Sequence, residues 1–572
     1  MGFPFLTKPK EAPPNKDAPP VKEAPVICPF DEEPQPPPGA SPARFWLLST
    51  GICLGLFLSI IDSSIVATAL YTIGSDFRDH RAINWVALAY TLAYLGCAVA
   101  FAHLSDVIGR RNAFILAYVI FFAFSLASGF AQNLRQLIAF RTIQGIGGSG
   151  LYSLTMIILP ETCPPSRIKF IGPMIGMVIA VSGVLGPVLG GVLTQYTQWR
   201  WIFWINGPIG AMSMILFVLS WPSKEQHNPA NRLKWKDFDF FGTFLIVVAS
   251  VLVVFAFQNA GESLYDAFNS SSFIAPITIG LICWVAVFAW AVLVDNGQFG
   301  KHLVPAVPFR LFRNRHYTSA ALTTLLIGYP YLQIIFTFPT RAQVVSGKTV
   351  LVSGLELLPM IGGSAIGSIT SGAVNSKKNF LFETIATGCC LTLLGCGLLS
   401  TVHGHEDDAK ALGFLVFPGL GFGLSTAAAT MLVTFEASIA DAAPAHGILA
   451  QMRILGGSIG IATASILLRN KKAAAVGGHV PPNDIGHPGE GVGRFDSHKH
   501  NPVVSAYSEA FRDGMRICSI IAGIAVLVSI LGFRRTRMDM NEQRAKLFRE
   551  EEMRRANEHA QSSESVGTAR KR

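Results

Sequence analysis

From Phe45 onward, apolar stretches of about 20 residues recur along the chain, each followed by a short polar break. A helix rises 1.5 Å per residue, so about 20 residues cross the ~30 Å of hydrocarbon in a bilayer. The pattern predicts spans near 45–70, 84–104, 112–131, 136–159, 170–194, 202–221, 240–258, 273–294, 317–339, 351–373, 381–401, 411–435, 444–468 and 514–533. Helices are the expected state, because backbone groups in lipid must be satisfied within each segment. The every-second-residue alternation of a membrane barrel is absent from the sequence. The fold class that follows is an all-α membrane protein with about fourteen transmembrane helices.

Between and outside the runs the composition changes. Residues 1–44 are rich in Pro, Lys and Glu and read as a disordered tail; residues 534–572 read as a basic tail. No cleavable leader is visible, so the first run is expected to serve as an internal signal. The stretch 469–512 is rich in Gly, His, Pro and Asn and reads as a long irregular loop. His403–Asp408 is a similar polar loop, where water-facing side chains are expected rather than a metal.

Composition supports the membrane class. Half of the 572 residues are hydrophobic and 14% are charged, against about 25% charged in soluble domains. Mean hydropathy is +0.42. The net charge of +10 does not indicate nucleic acid, because the basic residues sit in short clusters between apolar runs. Arg110, Arg111, Arg167, Lys169, Lys234, Lys236, Arg310, Arg313, Lys377 and Lys378 fall at one end of the spans, and fewer fall at the other. That bias puts the first set, and both tails, in the cytoplasm. Asn269-Ser270-Ser271 then lies outside and is a candidate glycosylation sequon. The nine cysteines lie in apolar segments or on the cytoplasmic side, and no disulfide is expected. Nothing matches Gly-x-x-x-x-Gly-Lys-Ser/Thr, which argues against a primary pump, and no enzyme constellation stands out. No cofactor is expected.

Candidate chemistry starts with charge inside apolar runs, which is costly in lipid and marks a cavity or a partner. Asp62 sits in Ile60-Ile61-Asp62-Ser63-Ser64-Ile65-Val66. It reads either as a proton carrier, an isolated carboxylate in an apolar setting, or as a structural Asp bonded by Ser63 or Ser64. Arg141 opens Arg141-Thr142-Ile143-Gln144-Gly145-Ile146-Gly147-Gly148, with Gln144 one turn later on the same face. Gly183, Gly186, Pro187, Gly190 and Gly191 give one helix a thin, deformable face, suited to a hinge or a tight contact. Asp106, Gly109, Arg110 and Arg111 form a turn able to clamp two helix ends. Tyr90, Gln144, Tyr152 and Gln333, with Tyr94, are cavity candidates by position; Arg341, Glu356, Glu436 and Arg453 are charges in or near spans and candidates to line the path.

Together these pieces resemble the major facilitator superfamily, and more closely its fourteen-span drug:proton antiporters. Asp106 to Arg111 is similar to the loop 2–3 signature, with Ala102 where a Gly is usual. Arg141 to Gly148 resembles the fourth-helix signature tied to proton transfer, Gly183 to Gly191 the antiporter signature of the fifth helix, and Asp62 to Val66 a first-helix signature of that branch. Trp199 to Pro208 looks like the usual entry to the sixth helix. Gly372-Ala373-Val374-Asn375-Ser376-Lys377-Lys378 is a degenerate second copy of the loop signature, with Asn375 in place of the acid and so a weaker clamp. The resemblance implies two six-helix bundles, 45–221 and 317–533, with linkers and an inserted helix pair in 222–316. It implies a monomer that exports small organic molecules against protons, with Asp62 and Arg141 coupling, and the plasma membrane rather than the vacuole. A proton-coupled importer of a siderophore or nutrient, and a non-transporting receptor, are the competing readings.

Overall fold

A computed structural model describes residues 42–66, 69–77, 83–163, 170–221, 233–262, 269–296, 303–375, 379–438, 441–476 and 502–533. Fourteen helices in it are long and apolar enough to cross a membrane. The first eight are Ala43–Ile65, Trp85–Ile108, Arg110–Gly129, Leu134–Thr162, Ile171–Tyr196, Trp201–Ser220, Phe240–Ala260 and Ser271–Asp295. The remaining six are Arg315–Val345, Leu351–Val374, Leu381–Leu399, His405–Glu436, Ala442–Lys472 and Val504–Ile530. They are called the first to fourteenth spans below. Among the described residues the β pairing is one parallel bridge, Phe238 to Val304.

The helices run past the apolar windows wherever polar residues find partners. The stretch expected as the irregular loop 469–512 is helical at both ends, since one helix continues to Val476 and the next begins at Pro502. Lys471 pairs there with Glu509 at 3.2 Å and Asp513 at 2.9 Å, so the two helices extend together beyond their apolar parts. The polar stretch at His403–Asp408 is likewise a 3-10 turn, His405–Asp407, leading into a helix from Asp408. The expected disordered and basic tails, Cys28, Arg167, and Lys377 with Lys378 lie outside the described residues.

Helix ends follow local chemistry. Asn133 caps the fourth span by accepting from the Gln136 amide at 2.8 Å, and Asn314 caps the ninth by accepting from His316 at 3.0 Å. One residue, Gly109, separates the second and third spans, at φ 89°. A Cβ disfavours that φ, which is why the turn needs glycine.

The packing repeats. In the first six spans, the second and third pack on the fourth, the first on the fifth and sixth, and the third on the sixth. Eight spans later the same pairs recur: tenth and eleventh on the twelfth, ninth on the thirteenth and fourteenth, eleventh on the fourteenth. The seventh span packs on the eighth, the second and the thirteenth. Across the middle, the fifth span meets the tenth and twelfth, and the thirteenth meets the second and fourth.

Candidate functional site

Asp62 and Arg141 are both fully buried and form an ion pair between the first and fourth spans. The carboxylate is therefore not isolated. Its Oδ1 also accepts from Asn206 Nδ2 at 2.8 Å, and the same nitrogen reaches Ser125 Oγ at 2.9 Å. Ser63 and Ser64 bond the backbone carbonyls of Ile60 and Ile61 instead of Asp62. Arg141 donates to Gln144 Oε1 at 2.9 Å, to the Asp62 carbonyl at 3.3 Å and to the Val86 carbonyl at 3.3 Å. Its guanidinium lies 4.1 Å above the Tyr90 ring. The fourth span comes this close to the second because Gly145 stands where a Cβ would meet the Tyr90 carbonyl at 2.5 Å. Asn206 was read only as part of an entry sequence; an amide in the apolar run Ile205–Ile209 was the signal of its role.

Tyr90 belongs to two structures at once. Its ring carries Arg141, and it also lines a central cavity, with walls from both sets of spans. The first, second, fourth and fifth spans form one wall with Ser63, Tyr94, Tyr152 and Gly183, and the ninth, twelfth and thirteenth form the other with Tyr331, Phe422 and Arg453. Tyr331 and Phe422 stack with ring centres 3.5 Å apart. Of the residues expected in a cavity, Tyr90, Tyr94 and Tyr152 are there. Gln144 sits in the ion-pair network instead. Gln333 lines a separate void of about 700 Å³ between the ninth, thirteenth and fourteenth spans, and accepts from Cys518 at 3.3 Å. Phe336 and Ile461 border both voids.

Toward the Lys/Arg-rich end the halves close on each other. A Cβ on Gly172 would stand 2.8 Å from the Ala427 carbonyl, and one on Gly447 2.8 Å from the Ala102 Cβ. At that end Arg110 pairs with Asp106 at 2.6 Å and Glu161 at 3.0 Å, tying the second, third and fourth spans together. Glu161 is thus part of the clamp, whereas Arg111 forms no ion pair among the described residues. In the second copy, buried Asn375 donates to the Ser371 carbonyl at 2.8 Å and to Thr384 at 3.0 Å, and accepts from the Phe380 amide at 3.0 Å. Among the described residues, the bonds of that clamp are neutral hydrogen bonds.

The glycine-rich fifth span is a continuous helix through Pro187. Gly186 is its contact point, since a Cβ there would meet Ser64 Oγ at 1.9 Å, while Gly183 faces the cavity. Gly190 and Gly191 are buried. Arg341, Lys348, Glu356 and Asp408 form an ionic cluster at the opposite end, and Glu436 accepts from Asn314. Burial pulls the Lys348 pKa down, but the bonds to Asp408 and Glu356 outweigh it and raise it overall, so that lysine stays charged at neutral pH. Asp239, unnoticed in the sequence, caps the seventh span at Gly242 (2.7 Å), accepts from Trp290 at 3.0 Å and Ala306 at 3.2 Å, and offers its amide to His103 at 3.2 Å.

Comparisons with known proteins bear on the family and the fold. An MFS-type transporter, FPY5, from Fusarium mangiferae is 29% identical over 501 residues, covering 85% of this chain and 83% of its own. Multidrug resistance protein 3 of Bacillus subtilis is 31% identical over 379 residues, covering 66% and 70%. Efflux pump FUS6 of Gibberella fujikuroi is 29% identical over 443 residues, covering 77% and 78%. Among solved structures, an auto inhibited POT family peptide transporter aligns with a TM-score of 0.52 at 14% identity, covering 87% of this chain and 98% of that one. A bacterial homolog of the human lysosomal transporter Spinster, inward-facing and occupied, aligns with a TM-score of 0.51 at 16% identity, covering 86% and 97%. At such identity these likenesses speak for the fold. The Major Facilitator Superfamily profile matches residues 52–461. The protein is a multi-pass membrane transporter and not an enzyme, and it belongs to the Major Facilitator Superfamily.

Proposed function

We propose that this transporter exports apolar or amphipathic small organic molecules, such as toxins or secondary metabolites, in exchange for protons. The observation that carries the coupling is Tyr90, which supports the Arg141 guanidinium and also lines the central cavity. When Asp62 takes a proton, its attraction for Arg141 falls and the guanidinium shifts toward Gln144 and the Tyr90 ring. Any such shift changes the cavity wall. A substrate that presses on Tyr90 acts in reverse and alters the proton affinity of Asp62, as linkage requires. The named relatives that are efflux or multidrug resistance proteins support the outward direction.

In this reading the Lys/Arg-rich end faces the cytoplasm, as do both tails, and the chain works as a monomer in the plasma membrane. Residues 45–221 and 317–533 act as two rocking bundles, with the inserted pair in 222–316. Asp106, Arg110 and Glu161 brace the second, third and fourth spans at the cytoplasmic side, where the close contacts at Gly172 and Gly447 keep the two halves together. The second void, reached past Phe336 and Ile461, serves as the exit path. Exposed Asn269, at the opposite end, is the glycan acceptor.

Inside-out vesicles with an acidic lumen test the coupling. Wild type accumulates members of a fluorescent dye panel, and Asp62→Asn binds them but does not concentrate them. Accumulation by Asp62→Asn at the wild-type level would move the proton site away from Asp62.

A further inference from the structure

Arg453 is the one formally charged side chain lining the central cavity among the described residues, and it is only 5% exposed. Its Nη1 donates to Tyr152 Oη at 3.0 Å. Its Nε and Nη2 have no hydrogen-bond partner, and no carboxylate pairs with it among the described residues. Asp62, the carboxylate on the far side of Tyr90, is already committed to Arg141 and Asn206. A buried charge with unsatisfied donors is costly and calls for a partner. Nε and Nη2 lie on the same edge of the guanidinium, and their two parallel N–H groups match the two oxygens of a carboxylate. The cavity that Arg453 lines is aromatic, with the Tyr331–Phe422 stack, Tyr94 and Tyr152.

We infer that the central cavity selects organic anions, with Arg453 Nε and Nη2 holding a carboxylate, or an equivalent planar oxyanion, while the aromatic walls take a flat apolar body. The Tyr152 bond fixes the plane of the guanidinium and so directs the free edge. Because Tyr152 lies on the fourth span and Arg453 on the thirteenth, a bound anion sits where the two halves meet. This inference rests on the transport reading above, since it takes the central cavity to be the substrate's.

Binding to the purified full chain in lipid nanodiscs tests it apart from transport. The probes are pyrenebutyrate, its neutral primary amide, and the cationic pyrenebutylamine, followed by fluorescence. Wild type binds the carboxylate at least about tenfold more tightly than the amide, the worth of a charge-assisted bidentate bond. Arg453→Gln erases that preference and keeps amide affinity within about twofold, which also shows that the variant folds and retains the apolar cavity. Arg453→Lys keeps the charge but not the fork, and retains only part of the preference. Equal binding of all three probes by wild type, tighter binding of the amine, or binding of none overturns the inference. So does an Arg453→Gln protein that still prefers the carboxylate. Should Arg453→Gln lose the amide as well, Arg453→Lys decides: a reduced preference supports the fork, and an unchanged one removes it. Selective binding without gradient-driven accumulation in the vesicles would sink the export reading and leave this one standing. Accumulation of neutral dyes without carboxylate preference would do the reverse.

Discussion

Asp106 and Asn375 occupy matching places eight spans apart, and the halves around them have diverged in chemistry while keeping the same packing. At these matched places the first half is charged: Asp106 holds Arg110, Arg110 holds Glu161, and deeper in the membrane Asp62 holds Arg141. The second half answers with a buried amide, Asn375, and leaves its deep arginine, Arg453, with two free donors. The repeat thus conserves which helices touch, and divides labour by charge. Paired charges can switch by taking up a proton, because removing one charge releases the other. Neutral bonds hold without reference to pH, and an unpaired charge is available to a ligand.

The largest expected break in this contrast comes from Arg141→Ala, which leaves Asp62 buried and unpaired at a cost of about 3–5 kcal/mol. Thermal unfolding in detergent should show the loss, and gradient-driven transport should vanish. Combining Asp62→Asn with Arg141→Gln should recover most of the stability while transport stays absent, separating coupling from folding. A middle effect is expected for Asn375→Asp. The new carboxylate would face the Ser371 carbonyl with no cation beside it among the described residues, and stability should fall by about 2–3 kcal/mol. If the protein tolerated it at neutral pH without loss, the neutral character of the second clamp would be incidental. The smallest effect belongs to Asp106→Asn, which gives the first half the chemistry of the second. It should cost about 1 kcal/mol, the difference between a charge-assisted and a neutral bond, and slow transport severalfold without changing substrate affinity.

The spans and the deep ion pair were readable because their signals are one-dimensional. Twenty apolar residues announce a span, and a lone charge such as Asp62 or Arg141 within one announces a site. What stayed hidden depends on partners far along the chain. Asn206 is one polar residue in a recognised sequence, and only folding brings it to Asp62, 144 positions away. Nothing local marks Glu161 as a clamp residue, since its partner Arg110 lies 51 positions away. Gln333 shows the opposite error: a polar residue at mid-span looks like a cavity residue, yet the rotation of the ninth span turns it toward Cys518 and the second void. Hydropathy also cannot see that helices outrun their apolar parts when ion pairs such as Lys471 with Asp513 support them.

The seventh span adds a mechanical consequence. It is fastened to the first half by the Asp239–His103 bond, and to the second by Gln451–Ser250 at 2.5 Å and by Arg469 to the Ala260 carbonyl at 2.9 Å. Like a stay rigged between two masts, it lets them lean only as far as its fastenings yield. Any motion that opens the Lys/Arg-rich end must strain that stay or slip one of its knots. We therefore expect the inserted pair to govern stroke and tempo, leaving affinity alone: loosening it, as in Ser250→Ala, should change turnover while binding stays the same, and altered binding would show it to be part of the site.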